Sequence, residues 1–125
     1  MVDPNIFRQT IQNMLKQDYK IEFYGTNFDK TIQVLSERKM QQIYSWIKQI
    51  IENRIRPLIT NKNASYKEVP LNQILTFRKE ISINNNEHRI MLLKIKNLNY
   101  IELHLGTHKY YDQLRRSLGL TNKKY

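Results

Sequence analysis

Two histidines lie close together near the C-terminus, in the segment HLGTHKYY over residues 104–111. An imidazole gains and loses a proton near neutral pH, so His104 and His108 are candidates for acid–base chemistry. A lysine and two tyrosines follow the second histidine directly. The structural alternative is that this segment only joins the end of a strand to the start of a helix.

The net charge of the chain is +10, from 21 Lys and Arg against 11 Asp and Glu. Clustered Lys and Arg gain affinity for a polyanion by releasing counterions from its phosphates, so the charge favours a nucleic-acid partner. The alternatives are a charge that only maintains solubility, or a genome that favours AT-rich codons.

Cysteine is absent, which excludes a disulfide framework, a cysteine-ligated zinc site and a cysteine nucleophile. With three histidines and no H-E-x-x-H spacing, the sequence predicts no metal, and nothing in it predicts another cofactor. No run of 18 apolar residues and no secretory signal are visible, so we expect a cytoplasmic protein without membrane contact.

Hydrophobic periodicity predicts an α+β domain over residues 1–125, with about four strands in a small antiparallel sheet and helices packed on one face. An extra N-terminal helix within residues 1–17 comes first, and Asp3 and Pro4 begin it. A strand and a helix pair follow, then three strands at 75–83, 88–96 and 100–106. A short C-terminal helix then leads to a flexible tail at 120–125. Ser36 is the predicted cap of the second helix of the pair, and Thr107 is the predicted cap of the C-terminal helix.

The two short turns, NNNE and NLN, allow a strand register to be estimated. We expect Ile83 opposite His88, Ser82 opposite Arg89, and Met91 opposite His104. Alternation then places a mixed polar group on the sheet face away from the core. Its members are Arg78, Glu80, Arg89, Met91, Leu93, Glu102 and His104. The structural alternative is a solvated face with crossed Arg–Glu pairs.

Three motifs resemble the RelE/ParE toxin superfamily, and most closely its YoeB-like branch. They are KEVPL before the sheet, FRKEIS followed by a turn and EHRIMLL, and HKYY after the last strand. The resemblance covers roughly residues 19–111 and includes the helix pair before the sheet. It implies the toxin of a bacterial type II toxin–antitoxin system, with a cognate antitoxin protein as partner.

The RelE branch of that family cuts messenger RNA on the ribosome. In that reaction the ribose 2′-OH attacks the neighbouring phosphorus and expels the 5′-oxygen. The ParE branch has a similar fold but inhibits DNA gyrase without chemistry. A non-toxic, basic nucleic-acid-binding protein of a mobile element is a third alternative.

The resemblance also implies site residues. Arg89 matches the strand arginine that faces the scissile phosphate, His108 the general acid, and Glu68 the general base. In the family the glutamate directly precedes proline, whereas Val69 intervenes here. Tyr111 completes the catalytic set. The candidate RNA-binding residues are Arg78, Lys79, His104, Lys109, Tyr110, Arg115 and Arg116.

Each of these assignments has a structural alternative. Arg89 would instead form a salt bridge with Glu80 or Glu102. Glu68 would be a loop carboxylate in solvent, and His108 would only begin the last helix. Tyr111 would pack in the core.

Overall fold

The computed structural model of the chain describes residues 2–59 and 65–120. Four helices are present in these ranges: α1 (Pro4–Met14), α2 (Phe28–Gln33), α3 (Glu37–Ile51) and α4 (His108–Ser117). A short 3₁₀ turn covers Leu71–Gln73. The strands are β1 (Lys20–Gly25), β2 (Leu58–Ile59), β3 (Ser65–Tyr66), β4 (Val69–Pro70), β5 (Ile74–Ile83), β6 (Asn86–Ile95) and β7 (Tyr100–Thr107).

The main sheet has the strand order β1-β7-β6-β5-β2, and β3 and β4 form a separate hairpin. The predicted α+β class is confirmed. The sheet is mixed rather than antiparallel, because β1 pairs in parallel with β7. Two helices and five strands separate these partners in the sequence, so no hairpin turn dictates their relative direction.

The β5–β6 hairpin is tighter than expected. Ile83 pairs with Asn86 and Arg89 with Glu80, so the expected Ile83–His88 and Ser82–Arg89 pairs are wrong. The turn contains only Asn84 and Asn85, whose φ angles of 52° and 64° suit a two-residue type I′ turn. The shift is two residues, so every side chain keeps its expected face.

The β6–β7 register is confirmed, with Met91 opposite His104 and Arg89 opposite Gly106. As a result, one face of the sheet is apolar. The side chains that build its core include Phe77, Ile90, Leu92, Leu103 and Leu105.

Helices α1, α2 and α3 contribute side chains to this core, each from an apolar stripe. Local signals set their starts. The Asp3 carboxylate accepts from the Asn5 amide at 2.8 Å, and the Ser36 hydroxyl accepts from the Lys39 amide at 3.2 Å. Both caps were predicted. Within the described ranges, no helix has the length and apolar character needed to cross a membrane.

Part of the second face of the sheet is covered, so the solvated-face alternative is wrong for the strands under α4, whereas its crossed Arg–Glu pairing is present between Arg89 and Glu80. Helix α4 packs on β6 and β7, and the β3–β4 hairpin lies beside it. Thr107 caps α4 as predicted, with its hydroxyl 3.4 Å from the Tyr110 amide. A second apolar cluster lies beneath α4 and includes Met91, Leu93, Tyr111, Leu114 and Leu118.

Of the predicted tail at 120–125 the structure describes Leu120 alone, and for this residue the prediction is wrong. Leu120 is buried in this second cluster, and its amide donates to the Arg115 carbonyl at 2.9 Å. Residues 121–125 lie outside the described residues, as does part of the connection over 60–64.

Candidate functional site

Two polar clusters occupy the second face of the sheet. The first, which we call the arginine cluster, comprises Arg78, Glu80, Glu87, Arg89 and Tyr111. Arg89 lies between two carboxylates, with Nη1 2.7 Å from Glu87 Oε1 and Nη2 3.6 Å from Glu80 Oε1. Its guanidinium lies 5.9 Å from the centroid of the Tyr111 ring.

Arg89 is a buried cation whose anionic partners are exposed. Only 9 % of its side chain is exposed, against 56 % for Glu80 and 57 % for Glu87. Its Nε is buried and has no hydrogen-bond partner among the described residues. The carboxylates on Nη1 and Nη2 are exposed, so an anion that replaced either of them would reach the guanidinium from solvent.

Arg78 joins the cluster from the neighbouring strand. Its Nη1 lies 3.5 Å from the Tyr111 hydroxyl, and its Nη2 lies 3.9 Å from Glu80 Oε1. The ring of Tyr111 is buried with Leu114, as its structural alternative stated. Tyr111 therefore contacts both guanidinium groups, that of Arg78 through its hydroxyl and that of Arg89 through its ring.

His108 is exposed at the start of α4, directly after the end of β7. Thr107, which precedes His108, pairs with His88, which precedes Arg89, so the end of β7 brings His108 toward the strand that carries Glu87 and Arg89. The pKa of Glu87 is lowered mainly by the hydrogen bond from Arg89 and by that cation, with a smaller contribution from His108. The structural alternative for Arg89 was a salt bridge with Glu80 or Glu102. The structure has the salt bridge with Glu80 and not one with Glu102.

Glu68 is not part of the arginine cluster. It occupies the β3–β4 turn with Lys67, and both residues have positive φ angles, 66° and 50°. Glu68 is exposed and has no hydrogen-bond or ion-pair partner among the described residues, whereas Lys67 reaches Glu102. Along β7, Glu102 lies four residues from Gly106, which pairs with Arg89. Four strand residues span roughly 13 Å, and this is the distance along β7 from Glu102 to the partner of Arg89.

The second cluster, which we call the Glu102 network, surrounds a carboxylate that is only 1 % exposed. Four donors bind it within hydrogen-bond distance. They are the Tyr66 hydroxyl at 2.9 Å, Lys67 Nζ at 2.8 Å, the Tyr100 hydroxyl at 2.7 Å and His104 Nε2 at 2.7 Å. Three further side chains contact these donors and complete the network: Glu22 contacts Tyr100, Tyr24 contacts Lys67, and Tyr110 contacts His104.

These contacts determine the charge state of the network. Burial alone would raise the pKa of Glu102, but the four hydrogen bonds outweigh burial and lower the pKa to about 2. Burial and the Glu102 charge raise the pKa of Tyr66. Burial would lower the pKa of Lys67, but its hydrogen bonds to Glu102 and Tyr24 raise it. The network therefore holds a carboxylate, an ammonium and neutral phenols at neutral pH.

His104 connects the carboxylate to a phenol. Its Nε2 lies 2.7 Å from Glu102 Oε1, and its Nδ1 lies 2.7 Å from the Tyr110 hydroxyl. Because Glu102 is ionised, Nε2 carries a proton and donates to it, and in the tautomer whose single ring proton is on Nε2 the Nδ1 lone pair accepts from the Tyr110 hydroxyl. Tyr24 stacks on the imidazole at 5.0 Å between ring centroids. With 4 % exposure, His104 is a buried residue.

Tyr110 lies at the edge of a groove between α4 and the β3–β4 hairpin. The groove encloses about 290 Å³, and Tyr24, Tyr66, Lys67 and Gln113 also line it. The Tyr110 ring covers Gly106, where an added Cβ would lie 2.6 Å from the ring. The ring therefore fills the space that the missing side chain of Gly106 leaves.

The remaining predicted RNA-binding cations are dispersed. Lys109 and Arg116 are exposed on α4, and Arg115 lies 3.6 Å from Asp112. Lys79 alternates with Phe77 and Ile81 along β5, so it lies on the face that α1, α2 and α3 cover. Arg78 lies on the opposite face. Lys79 is therefore not brought together with the other candidates.

Sequence reasoning missed Glu22, Tyr24, Tyr66, Lys67 and Tyr100. The parallel register places Glu22 beside Glu102 and Tyr24 beside His104, so alternation could have found these two once β1 had a partner. Nothing in the sequence indicates that Tyr66 and Lys67 fold over the sheet. Within the described part of the chain, no group of three His, Cys, Asp or Glu side chains could hold a metal ion.

Comparisons of this chain with protein-family models, with curated proteins and with solved structures found no match.

Proposed function

We propose that this protein is the toxin of a bacterial type II toxin–antitoxin system and cleaves messenger RNA on the ribosome. Its partners are then a cognate antitoxin protein, the ribosome and messenger RNA, and no cofactor takes part. The net charge of +10 supports attraction to RNA. The motif resemblance supports the reaction, a transesterification in which the 2′-OH of ribose is the nucleophile.

The observation that carries the proposal is the strand register that brings His108, at the start of α4, toward the strand that carries Glu87 and Arg89. The buried guanidinium of Arg89 holds the exposed carboxylate of Glu87 at 2.7 Å, and His108 is exposed beside them. A phosphate of the RNA backbone has the charge to replace that carboxylate. Arg89 then stabilises the charge that develops on the phosphorane, and His108 gives a proton to the departing 5′-oxygen.

The structure separates the base implied by the resemblance from the arginine cluster. Glu68 lies in the hairpin turn, beside the Glu102 network rather than the arginine cluster. We therefore assign the cleavage chemistry to Arg89 and His108 and leave Glu68 as the base implied by the resemblance.

The test is induced expression in bacteria of wild type, Arg89→Gln and His108→Gln, with growth and the integrity of messenger RNA measured together. His88→Gln is the matched control, because His88 is a half-buried histidine on the same strand as Arg89. We expect growth arrest and RNA cleavage in wild type and the control, and loss of both in the two variants. Arrest with intact RNA would overturn the proposal.

One observation favours the ParE-like alternative, in which the toxin inhibits DNA gyrase without chemistry. Arg89 is held by Glu80 and Glu87, so its charge is partly neutralised before any ligand binds. This arrangement suits binding as well as catalysis. Arrest accompanied by DNA damage and intact messenger RNA would select this function.

A further inference from the structure

The Glu102 network contains an aligned chain of three groups that the proposed RNA cleavage does not use. It runs from Glu102 through His104 to Tyr110, with 2.7 Å at each of the two contacts. A nucleophile within hydrogen-bond reach of a base, which a third group orients, is the signature of an activated nucleophile. Glu102 and His104 are buried, and Tyr110 reaches the groove.

We infer that Tyr110 is a nucleophile activated by His104, that Glu102 positions His104, and that the groove accepts a phosphate diester as the electrophile. This is a second site and a second activity, on the opposite side of α4 from the arginine cluster. It does not depend on cleavage of RNA at Arg89 and His108.

Four features support the chemistry. Glu102 is ionised and accepts from Nε2, so the Nδ1 lone pair faces the phenol. Lys67 places an ammonium beside the groove with 47 % of its side chain exposed, which favours an anionic substrate. Tyr24 stacks on His104 and fixes the ring plane. The groove is large enough for a phosphate diester and opens to solvent.

The step conserves atoms and charge. The Tyr110 oxygen attacks phosphorus and forms a P–O bond, while the phenol proton moves to His104 Nδ1. The imidazolium is stabilised by Glu102. The P–O bond to the leaving alcohol breaks, and that oxygen takes the proton from His104. The product is a phosphate diester on Tyr110 and a free alcohol.

Tyr66 is a matched internal control. It is half-buried, lines the same groove and donates to the same carboxylate, but directly rather than through an imidazole. Burial and the Glu102 charge raise the pKa of both Tyr66 and Tyr110. A difference in reactivity between these two tyrosines therefore reports the presence of His104.

The experiment treats the full chain with diisopropyl phosphorofluoridate, a phosphoryl electrophile whose fluoride is the leaving group. Mass spectrometry of peptides then follows the modification of each tyrosine over time. We expect Tyr110 to react at least 10-fold faster than Tyr66 at neutral pH. Equal or slower modification of Tyr110, or no modification, would overturn the inference.

The positioning role of His104 is tested in His104→Gln, with the thermal melting curve as the check on folding. We expect modification of Tyr110 to fall at least 10-fold while modification of Tyr66 is unchanged. A general disturbance of the groove would change the rates of both tyrosines together, so the ratio of the two rates separates the effect of His104 from a change in structure. The groups that face His104 are Glu102, Tyr110, Tyr24 and, through Glu102, Lys67.

An unchanged Tyr110 rate in folded His104→Gln would show that the imidazole does not activate the phenol, and would overturn the inference. If this variant does not fold, the wild-type ratio between Tyr110 and Tyr66 decides. Loss of RNA cleavage in Arg89→Gln bears only on the proposed toxin function, so the two proposals fail separately.

Discussion

The arginine cluster and the Glu102 network lie on either side of α4, and they bury opposite charges. In the first, the cation Arg89 is buried and its carboxylate partners are exposed. In the second, the anion Glu102 is buried and its ammonium partner Lys67 is half-exposed. Because α4 packs over β6 and β7, it separates strand β5 from strand β1 and keeps the clusters apart.

This difference indicates what each cluster can do. Exposed carboxylates pair weakly in water, so an incoming phosphate can displace Glu87 or Glu80 from Arg89. Glu102 has four donors and no exposed surface for exchange, so its partners stay in place. The arginine cluster is therefore suited to bind a polyanion, and the Glu102 network to hold groups in fixed geometry.

The largest expected effect comes from removing the buried anion. Glu102→Ala removes the buried acceptor that four donors share and leaves Tyr66 and His104 Nε2 without it, so we expect the free energy of unfolding to fall by about 3–5 kcal/mol. Glu80→Ala removes an exposed carboxylate from Arg89 and should change it by less than about 1 kcal/mol. Urea denaturation of both variants measures the difference. Similar losses in the two variants would remove the contrast between the clusters.

Acid should weaken the Glu102 network. The pKa of Glu102 is lowered to about 2 in the folded state, so its stabilisation is complete above the unfolded value near 4.5. It is lost as pH falls through that window, by roughly 3 kcal/mol. The difference in unfolding free energy between wild type and Glu102→Gln should therefore shrink from pH 5 to about pH 2. A difference that is constant with pH would contradict the ionised carboxylate.

A smaller effect is expected where Tyr110 covers Gly106. An added Cβ would lie 2.6 Å from the ring, so Gly106→Ala should cost about 1–3 kcal/mol of unfolding free energy. The cost should largely vanish in a Tyr110→Ala background, as a double-mutant cycle would measure. Gly25→Ala is the control, because its Cβ would meet the Leu105 carbonyl, which Tyr110→Ala does not remove. An unchanged cost for Gly106→Ala would show that Tyr110 does not pack there.

The sequence predicts what depends on local signals. The caps Asp3, Ser36 and Thr107 were identified because each lies directly before an apolar periodic segment. The arginine cluster was found in part, because alternation along β5 and β6 places Arg78, Glu80 and Arg89 on one face. An error of two residues in the turn left this result intact.

The Glu102 network depends on long-range contacts that leave little trace in the sequence. Glu22 and Tyr24 reach it only because β1 pairs in parallel with β7. Lys67 reaches it from a turn with positive φ at Lys67 and Glu68, residue types that do not favour that conformation. The motif resemblance points to Glu68, whereas its neighbour Lys67 makes the contact with the buried carboxylate of Glu102.

The most direct test of RNA binding at the arginine cluster compares the affinities of Glu87→Gln and Arg89→Gln for single-stranded RNA at fixed salt. Glu52→Gln is the control for net charge, because Glu52 is exposed at the C-terminal end of α3, whereas the start of that helix contacts Ser82, the strand partner of Glu87. If phosphate replaces Glu87, Glu87→Gln should bind RNA several-fold more tightly, beyond the control, and Arg89→Gln about 10-fold more weakly. An unchanged affinity in both variants, or weaker binding in both, would contradict RNA binding at this site.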